Sequence, residues 1–354
     1  MATVVHFPSI AALSANPYWV LLEKGLRDVG VRSTTDETLL FGRRWLLRNR
    51  RRVDFLHFHY VQQFYAYENT YARLKWVLRL ASNLVLARML GYHTVLTLHN
   101  LMPTYPLSPA WVDYLGHWFT VQLVDSVIVH CRTAAAALIS QFGRRRNIHV
   151  VSHPNYIGVY PNTIDRDAAR AQLGLLPDQK VFLFFGGLRP NKGIDQLLRA
   201  FREIPGEHLA LLVAGQPFPP EEYQSELQRL ASLDSRVRLS DRFISDDEVA
   251  TYMNAADAVT LPFARILTSS STMLAMSFGR PVVAPAMGCL PELVTPTSGV
   301  LYDAQDPEGL KNALLRCTEL DLQAMGDCAA VEPFTVERFG AETLNAYMDR
   351  GSQN

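Results

Sequence analysis

The stretch FFGGLRPNKG, residues 184–193, leads from an apolar run (VFLFF, 181–185) through two glycines into a turn carrying Arg189 and Lys192, then into IDQLLRAFREI. An apolar run of this length fits a strand buried on both faces, and the segment after the turn has apolar residues at helical spacing. A buried strand, a glycine turn and a helix make one unit of a parallel α/β sheet. The two cations fall beyond the carboxyl end of the strand, where such sheets bind ligands.

Outward from this unit the alternation persists in both directions. Upstream, TVVHF, VDFLHFHY, HTVLTLHN, SVIVHC and IHVVSH read as strands. Between them NPYWVLLEKGLRDVG, YARLKWVLRLASNLVLARMLG, AWVDYLGHWFTVQLV and RTAAAALISQFG read as helices. Downstream, LALLVAG, VRLSDR, AVTLPF and PVVAP are strands, and EYQSELQRLASL, DDEVATYMNAA and STMLAMSFG are helices. The segment HPNYIGVYPNTIDRDAARAQLG divides two series. The pattern predicts an α/β chain of two Rossmann-like domains facing across a cleft, residues 1–160 and 161–333, with a last helix in 334–354 packing back on the first domain.

Composition adds bounds. The 354 residues are 48% hydrophobic and 19% charged, which is ordinary for a globular chain. No apolar run reaches the roughly 18–20 residues that span a bilayer. The first residues read as a strand and loop and lack the basic segment of a signal peptide. Four scattered cysteines with no CxxC pair disfavour a zinc site or a disulfide framework and fit a reducing cytoplasm. The net charge of zero conceals an asymmetry: residues 1–160 hold 17 Lys+Arg against 8 Asp+Glu, and the remainder holds 17 against 26. The basic half is expected to face something anionic.

The loops after the strands carry the chemistry. Gly187 lets an anion approach the backbone, Arg189 forks onto phosphate oxygens, and Lys192 adds a compact charge at a helix start. A Walker A loop is excluded, because no Gly-Lys-Ser/Thr follows. A second loop, LPFARILTSSSTMLAMSFG, ends its strand at Phe263 and opens a helix with Ser269, Ser270, Ser271 and Thr272. One hydroxyl suffices for a cap, so the rest are spare donors suited to a diphosphate.

These blocks, FFGGLRPNKGIDQLLRAF, MNAADAVTLPF, AMSFGRPVVAP, GCLPELV and GVLYDAQDPEGLKNAL, resemble in order and spacing those of the group 1 glycosyltransferases of the GT-B fold, across nearly all of residues 181–315. The resemblance implies that Arg189 and Lys192 bind the diphosphate of a nucleotide sugar and that Glu292, in LPELV, lies near the donor. Many retaining members carry two glutamates before the Ala-Met-Ala-like helix; here those positions are Ile266 and Leu274. The serine turn resembles a subgroup with a TSGS-like turn, so donor identity and anomeric outcome do not carry over. No DxD-like pair stands at a donor loop. The expected reaction therefore uses no metal and no cofactor beyond the nucleotide sugar.

In the first half, LHFHY and VLTLHN followed by LMP resemble strand ends of bacterial polysaccharide glycosyltransferases. A similarly placed histidine there faces the transferred sugar, which makes His99, beside Asn100, the catalytic candidate: a hydrogen-bonding residue, or a general base suited by the ordinary imidazole pKa. His57 and His59 share a strand face, with His59 nearer the cleft; with no third ligand apparent, hydrogen bonding is favoured over metal. Asn16 opens the first helix as a cap or a cleft residue. His130 and His153 read as packing or hydrogen-bonding residues. The run GRRWLLRNRRR, residues 42–52, holds six arginines without a nucleic-acid motif. Peripheral contact with anionic lipid or a pyrophosphate-linked acceptor is the expectation, at the inner face of the membrane.

The residues thus predict a nucleotide-sugar-dependent glycosyltransferase acting on a glycan, lipid-linked or small-molecule acceptor, in bacterial surface-polysaccharide synthesis. The rival is a non-catalytic sugar- or lipid-binding protein of the same fold. Nothing in the sequence suggests the pyridoxal-phosphate lysine that a phosphorylase needs, and PSIAALSANP after the first strand is not the GxGxxG of a dehydrogenase.

Overall fold

The computed structural model describes residues 1–7, 16–34, 41–67, 69–103, 109–326 and 328–349. They divide into two compact units, Met1–Pro154 with Phe334–Asn354, and Asn155–Pro333.

In the first unit β1 (Ala2–Phe7), α1 (Pro17–Asp28), β2 (Val31–Thr34), α2 (Arg43–Asn49), β3 (Phe55–Phe58), α3 (Thr70–Met89), β4 (His93–Thr97), α4 (Ala110–Leu123), β5 (Ser126–Val129), α5 (Arg132–Phe142) and β6 (Ile148–Val150) follow one another. The six strands pair in parallel in the order β2-β1-β3-β4-β5-β6. Strands β3, β4 and β5 are buried at every residue, as parallel strands covered on both faces must be. Two elements, β2 and α2, were not legible in the hydrophobic pattern. The edge strand VRST buries only Val31, and α2 buries only Leu46 beneath its arginines.

The second unit runs α6 (Arg166–Gln172), β7 (Lys180–Phe185), α7 (Ile194–Arg202), β8 (Leu209–Ala214), α8 (Glu221–Ala231), β9 (Val237–Ser240), α9 (Asp246–Ala255), β10 (Ala258–Thr260), α10 (Ser270–Ser277), β11 (Val282–Pro285), α11 (Leu290–Leu293), β12 (Gly299–Tyr302), α12 (Gly309–Glu319) and α13 (Leu322–Met325). Its parallel sheet has the order β12-β11-β10-β7-β8-β9. Phe182, Phe184, Leu211 and Val213 form its core with Ile194, Leu198 and Phe201 of α7.

Helix α14 (Val336–Met348) returns to the first unit and packs on α1. Gly25 and Gly340 permit the close approach: a Cβ at Gly340 would stand 2.2 Å from the Gly25 carbonyl oxygen. The contact seats Tyr347 in the first core, with its ring centroid 4.8 Å from that of Phe55.

Strand order also locates the crevices. In the first sheet the chain moves outward to β2 and returns to β3, so adjacent connections diverge between β1 and β3. In the second they diverge between β7 and β10. Loops leaving such neighbours in opposite directions open a gap at the strand ends, the usual ligand site of these sheets.

Candidate functional site

In the second unit the two loops singled out from the sequence flank the β7/β10 divergence. Gly186 and Gly187 leave β7, Arg189 precedes a 3-10 turn at Pro190–Lys192, and Gly193 enters α7. Gly193 has φ 69°, and a Cβ there would stand 2.0 Å from the Pro262 carbonyl oxygen, so only glycine lets this turn lie against the end of β10. Ala264 N–H donates to the Asn191 carbonyl at 3.1 Å and ties the loops together. A Cβ at Gly186 would stand 3.5 Å from Ser271 Oγ, so the serine turn borders the glycine turn directly.

Arg189 lies over the Phe218 ring at 3.7 Å, and Lys192 Nζ over Phe263 at 4.7 Å. Burial and, after it, the neighbouring Arg189 push the Lys192 amine down to about 8. Two cations side by side in a half-buried crevice form an electrostatic arrangement that an anion would relieve.

The predicted residues separate by role. Ser269 caps α10 by accepting the Thr272 N–H at 3.1 Å, and Thr272 is buried with no hydrogen-bond partner at its hydroxyl. Both are thus drawn into the helix start, whereas Ser270 and Ser271 are half-buried and Ser271 borders the glycine turn at Gly186. Gly187 makes room for an aromatic ring, since a Cβ would meet Phe218 at 2.9 Å. Glu292 is exposed in the first turn of α11, whose preceding residue Cys289 donates its N–H to the Leu267 carbonyl at 2.8 Å. Leu274, at one missing-glutamate position, is buried in α10.

In the first unit the strand ends carry a row of histidines. His6 on β1 is in register with His57 on β3. His6 Nδ1 lies 3.1 Å from His59 Nε2, and His59 Nδ1 lies 3.3 Å from His99 Nε2. His57 is held at 2.7 Å by Tyr347 OH on Nδ1 and at 2.7 Å by Thr97 Oγ1 on Nε2. His130 follows β5 and donates Nδ1–H to the Val151 carbonyl at 2.9 Å, leaving a buried Nε2 with no partner. The His153 ring lies tilted against that of His130 at a centroid distance of 5.5 Å.

Burial, with the neighbouring imidazoles, keeps this row neutral at physiological pH. It pushes His6 and His153 down to about 3 and His130 down to about 4, and holds His57, His59 and His99 well below the ordinary imidazole value. His59 is buried with both nitrogens engaged, and with His99 and Asn100 it lines a small pocket at the strand ends. Burial, and after it His130 and His153, lowers the His99 imidazole pKa and favours its neutral, hydrogen-bonding form.

Asn16 caps α1 by accepting the Tyr18 N–H at 3.1 Å, which leaves its amide NH₂ for other partners. Asn100 is half-buried beside His99. The loop before Asn16, residues 8–15, lies outside the described residues. His6, Tyr18, Trp19 and Tyr347 were not singled out from the sequence. The one available signal was the shared position of His6 and His57 on neighbouring parallel strands. His6, His57 and His59 bring ring nitrogens within 4.8 Å of one another, the third potential ligand that the sequence did not reveal. Imidazole and hydroxyl hydrogen bonds already account for all of the nitrogens involved.

Away from the row, α2 and α3 border a groove of about 1320 Å³ lined by Arg43, Arg44, Arg48, Arg52, Lys75 and Arg79 with Trp45 and Leu78. Residues 41–53 and 69–91 contain no Asp or Glu. Leu47, Tyr71, Leu78, Val85 and Met89 are exposed alongside. No helix among the described residues is long and apolar enough to cross a membrane.

Residues 179–319 match the family model for glycosyl transferases group 1. The chain is 34% identical over 204 residues to D-inositol 3-phosphate glycosyltransferase of Mycolicibacterium smegmatis, covering 54% of this chain and 45% of that protein. It is 31% identical over 254 residues to the Nocardioides protein of the same name, covering 66% and 55%. The chain thus spans about half the length of the curated relatives it matches. Among solved structures it is similar to sucrose-phosphate synthase from Thermosynechococcus elongatus, with TM-score 0.77 at 18% identity over 98% of both chains. It is also similar to Anabaena HepE in complex with UDP and glucose, with TM-score 0.73 at 21% identity over 98% of this chain and 100% of that one.

Proposed function

Because the chain belongs to the group 1 glycosyltransferases and has the GT-B fold, we propose that it is an enzyme transferring a sugar from a nucleotide diphosphate sugar to an acceptor hydroxyl. The observation that carries this reading is the meeting of the Arg189/Lys192 turn with the Ser270/Ser271 helix start at the β7/β10 divergence.

The donor diphosphate occupies that crevice. Arg189 and Lys192 contact its oxygens, and the hydroxyls and N–H groups at the start of α10 complete the cradle. As the sugar–phosphate bond breaks, charge accumulates on the leaving diphosphate, and the preset cations stabilise it without a metal ion. UDP-glucose is the first donor to test, since HepE has been solved with it. His99 offers a hydrogen bond to a substrate hydroxyl at the strand ends of the first unit.

On this reading the acceptor is an anionic molecule, a sugar or polyol phosphate or a pyrophosphate-linked lipid. The basic first unit and the relatives named for inositol 3-phosphate support that choice. The acid-free α2–α3 groove supports a further contact with anionic lipid, which would place the enzyme at the cytoplasmic face of a membrane in surface-polysaccharide synthesis.

Loss of both usual glutamates, at Ile266 and Leu274, favours a second reading as a binding protein without turnover. Incubation with UDP-, GDP- and dTDP-sugars and an acceptor panel decides between them. Nucleotide diphosphate release that disappears in a folded Arg189→Ala variant is the expected result. Binding of a nucleotide sugar with no release, whatever acceptor is supplied, would leave the binding protein.

A further inference from the structure

Arg170, Arg199 and Arg236 of the second unit each hold a carboxylate, at 2.8, 2.6 and 2.7 Å. Arg189 does not. Among the described residues its guanidinium has no ion pair and no hydrogen bond, and it rests on the Phe218 ring, 3.7 Å from its central carbon. At that distance the carbon itself touches the ring face, so the guanidinium lies flat. An edge-on approach would put a nitrogen between them and hold the carbon farther off. A flat guanidinium keeps its five N–H groups in its own plane, clear of the ring.

The ring is fixed where Arg189 meets it. Phe218 stands in the loop after β8, and Leu188, the neighbour of Arg189, ties that loop to its own. The Leu188 N–H donates to the Gln216 carbonyl at 2.8 Å, and the Phe218 N–H donates to the Leu188 carbonyl at 3.3 Å. Gln224 of α8 donates from Nε2 to the Leu188 carbonyl at 2.9 Å and to the Phe218 carbonyl at 2.7 Å. In the segment Gln216–Pro217–Phe218–Pro219–Pro220 every residue but Phe218 is exposed, so the ring alone turns inward.

A carboxylate could hold an arginine in place as well, but it would offset the charge and occupy the donors. An aromatic face holds the cation through the ring quadrupole and does neither. Lys192 repeats the device: among the described residues its ammonium has no ion pair, and it lies over Phe263. We infer that Phe218 is a positioning residue that lays the Arg189 guanidinium flat before ligand arrives, with its charge intact and its edge donors open to phosphate oxygens. A cation already ordered loses less side-chain freedom on binding, and the anion has no competing carboxylate to displace. The inference rests on the donor reading of the crevice, and Phe218 acts through Arg189 rather than on the phosphates.

The test is calorimetric titration with UDP, GDP and dTDP, using whichever binds tightest, on wild type, Phe218→Leu, Phe218→Tyr, Arg189→Ala and the Phe218→Leu/Arg189→Ala double variant. Leucine keeps an apolar side chain without a π face, and tyrosine keeps both. Phe218→Leu should weaken binding roughly 3–30-fold, whereas Phe218→Tyr should stay within about twofold of wild type. With Arg189 already removed, Phe218→Leu should cost nothing further, because two residues that act as a unit are not additive. Proton NMR without ligand gives an independent reading. The Arg189 Nε–H signal, identified by its loss in Arg189→Ala, should lie upfield in the wild type under the ring current and return to the position of a solvated arginine in Phe218→Leu. Should Phe218→Leu fail to fold, the wild-type signal decides, and an Nε–H at the solvated position overturns the stacking. Unchanged affinity in Phe218→Leu would leave the ring as loop packing, and an equal loss with and without Arg189 would make it a direct nucleotide contact; either result overturns the inference. If the wild type binds none of the three nucleotides, or Arg189→Ala binds as the wild type does, it is the donor reading that fails.

Discussion

Replacing Lys192 with methionine removes one cation from the crevice and keeps an apolar stem over Phe263. A hydrogen bond to a charged group contributes about 1.5–3 kcal/mol, so UDP-glucose should bind roughly 10–150-fold more weakly at pH 7. The structure adds a pH signature. With the free amine pushed down to about 8, Lys192 is mostly charged at pH 7 and mostly neutral at pH 9. A bound diphosphate favours the charged form, so binding at pH 9 must take up a proton. Wild-type affinity should therefore fall about tenfold between pH 7 and 9. Lys192→Met should lack that fall and report any ionisation of the ligand itself. Isothermal titration calorimetry at the two pH values, in buffers of different ionisation enthalpy, reads both affinity and proton uptake. The lost contact with Phe263 costs only about 0.5–1 kcal/mol, so the variant should remain folded. Equal wild-type affinity at the two pH values, or variant binding within twofold of wild type at pH 7, would refute the reasoning.

Four further outcomes follow from the same geometry. Ser271→Ala should weaken donor binding a few-fold with little change in Tm, whereas Ser269→Ala should cost about 0.5–2 kcal/mol of stability through loss of the α10 cap, seen as a lower urea midpoint. The neutral histidine row makes the protein acid-sensitive: folded-state values lie below the unfolded value near 6.5, so stability is complete above that pH. As pH drops below it the unfolded chain takes up protons first, and each histidine removes about 1.4 kcal/mol per pH unit until its folded value is reached; thermal melts from pH 7 to 4 should show a steep fall. Gly340→Ala should separate α14 from α1 and lower Tm by several degrees, because the Gly25 carbonyl occupies the space of the new methyl. Vesicles with anionic lipid should co-sediment the protein at low salt, and Arg44→Glu with Lys75→Glu should abolish this at unchanged fold; no co-sedimentation of the wild type would remove the membrane contact from the account.

Much of this architecture was legible because parallel strands buried on both faces are continuous apolar runs, as in VFLFF, and because the helices between them carry clear amphipathic spacing. Elements with little burial left no such trace: VRST at the sheet edge, and α2, whose arginines outnumber its single buried leucine. The glycine turn and the hydroxyl run could be read for a similar reason, since both are local signals at strand ends. Which serine caps is settled by helix phase, and Ser269 took the cap. The histidine row was hidden because it is built from sheet order. His6, His59 and His99 lie far apart in the chain, and only parallel pairing brings them into one line. The lowered basicity of His99 has the same origin, because it arises from burial and from the imidazoles of His130 and His153 elsewhere in the chain.

The most direct measurement is a crystal structure of the protein soaked with UDP-glucose. The account predicts both phosphates in the second unit, contacting the Arg189 guanidinium and the Lys192 ammonium on one side and the Ser270–Ser271 hydroxyls or N–H groups on the other. A diphosphate bound at any other place, with this crevice left to water, would contradict it.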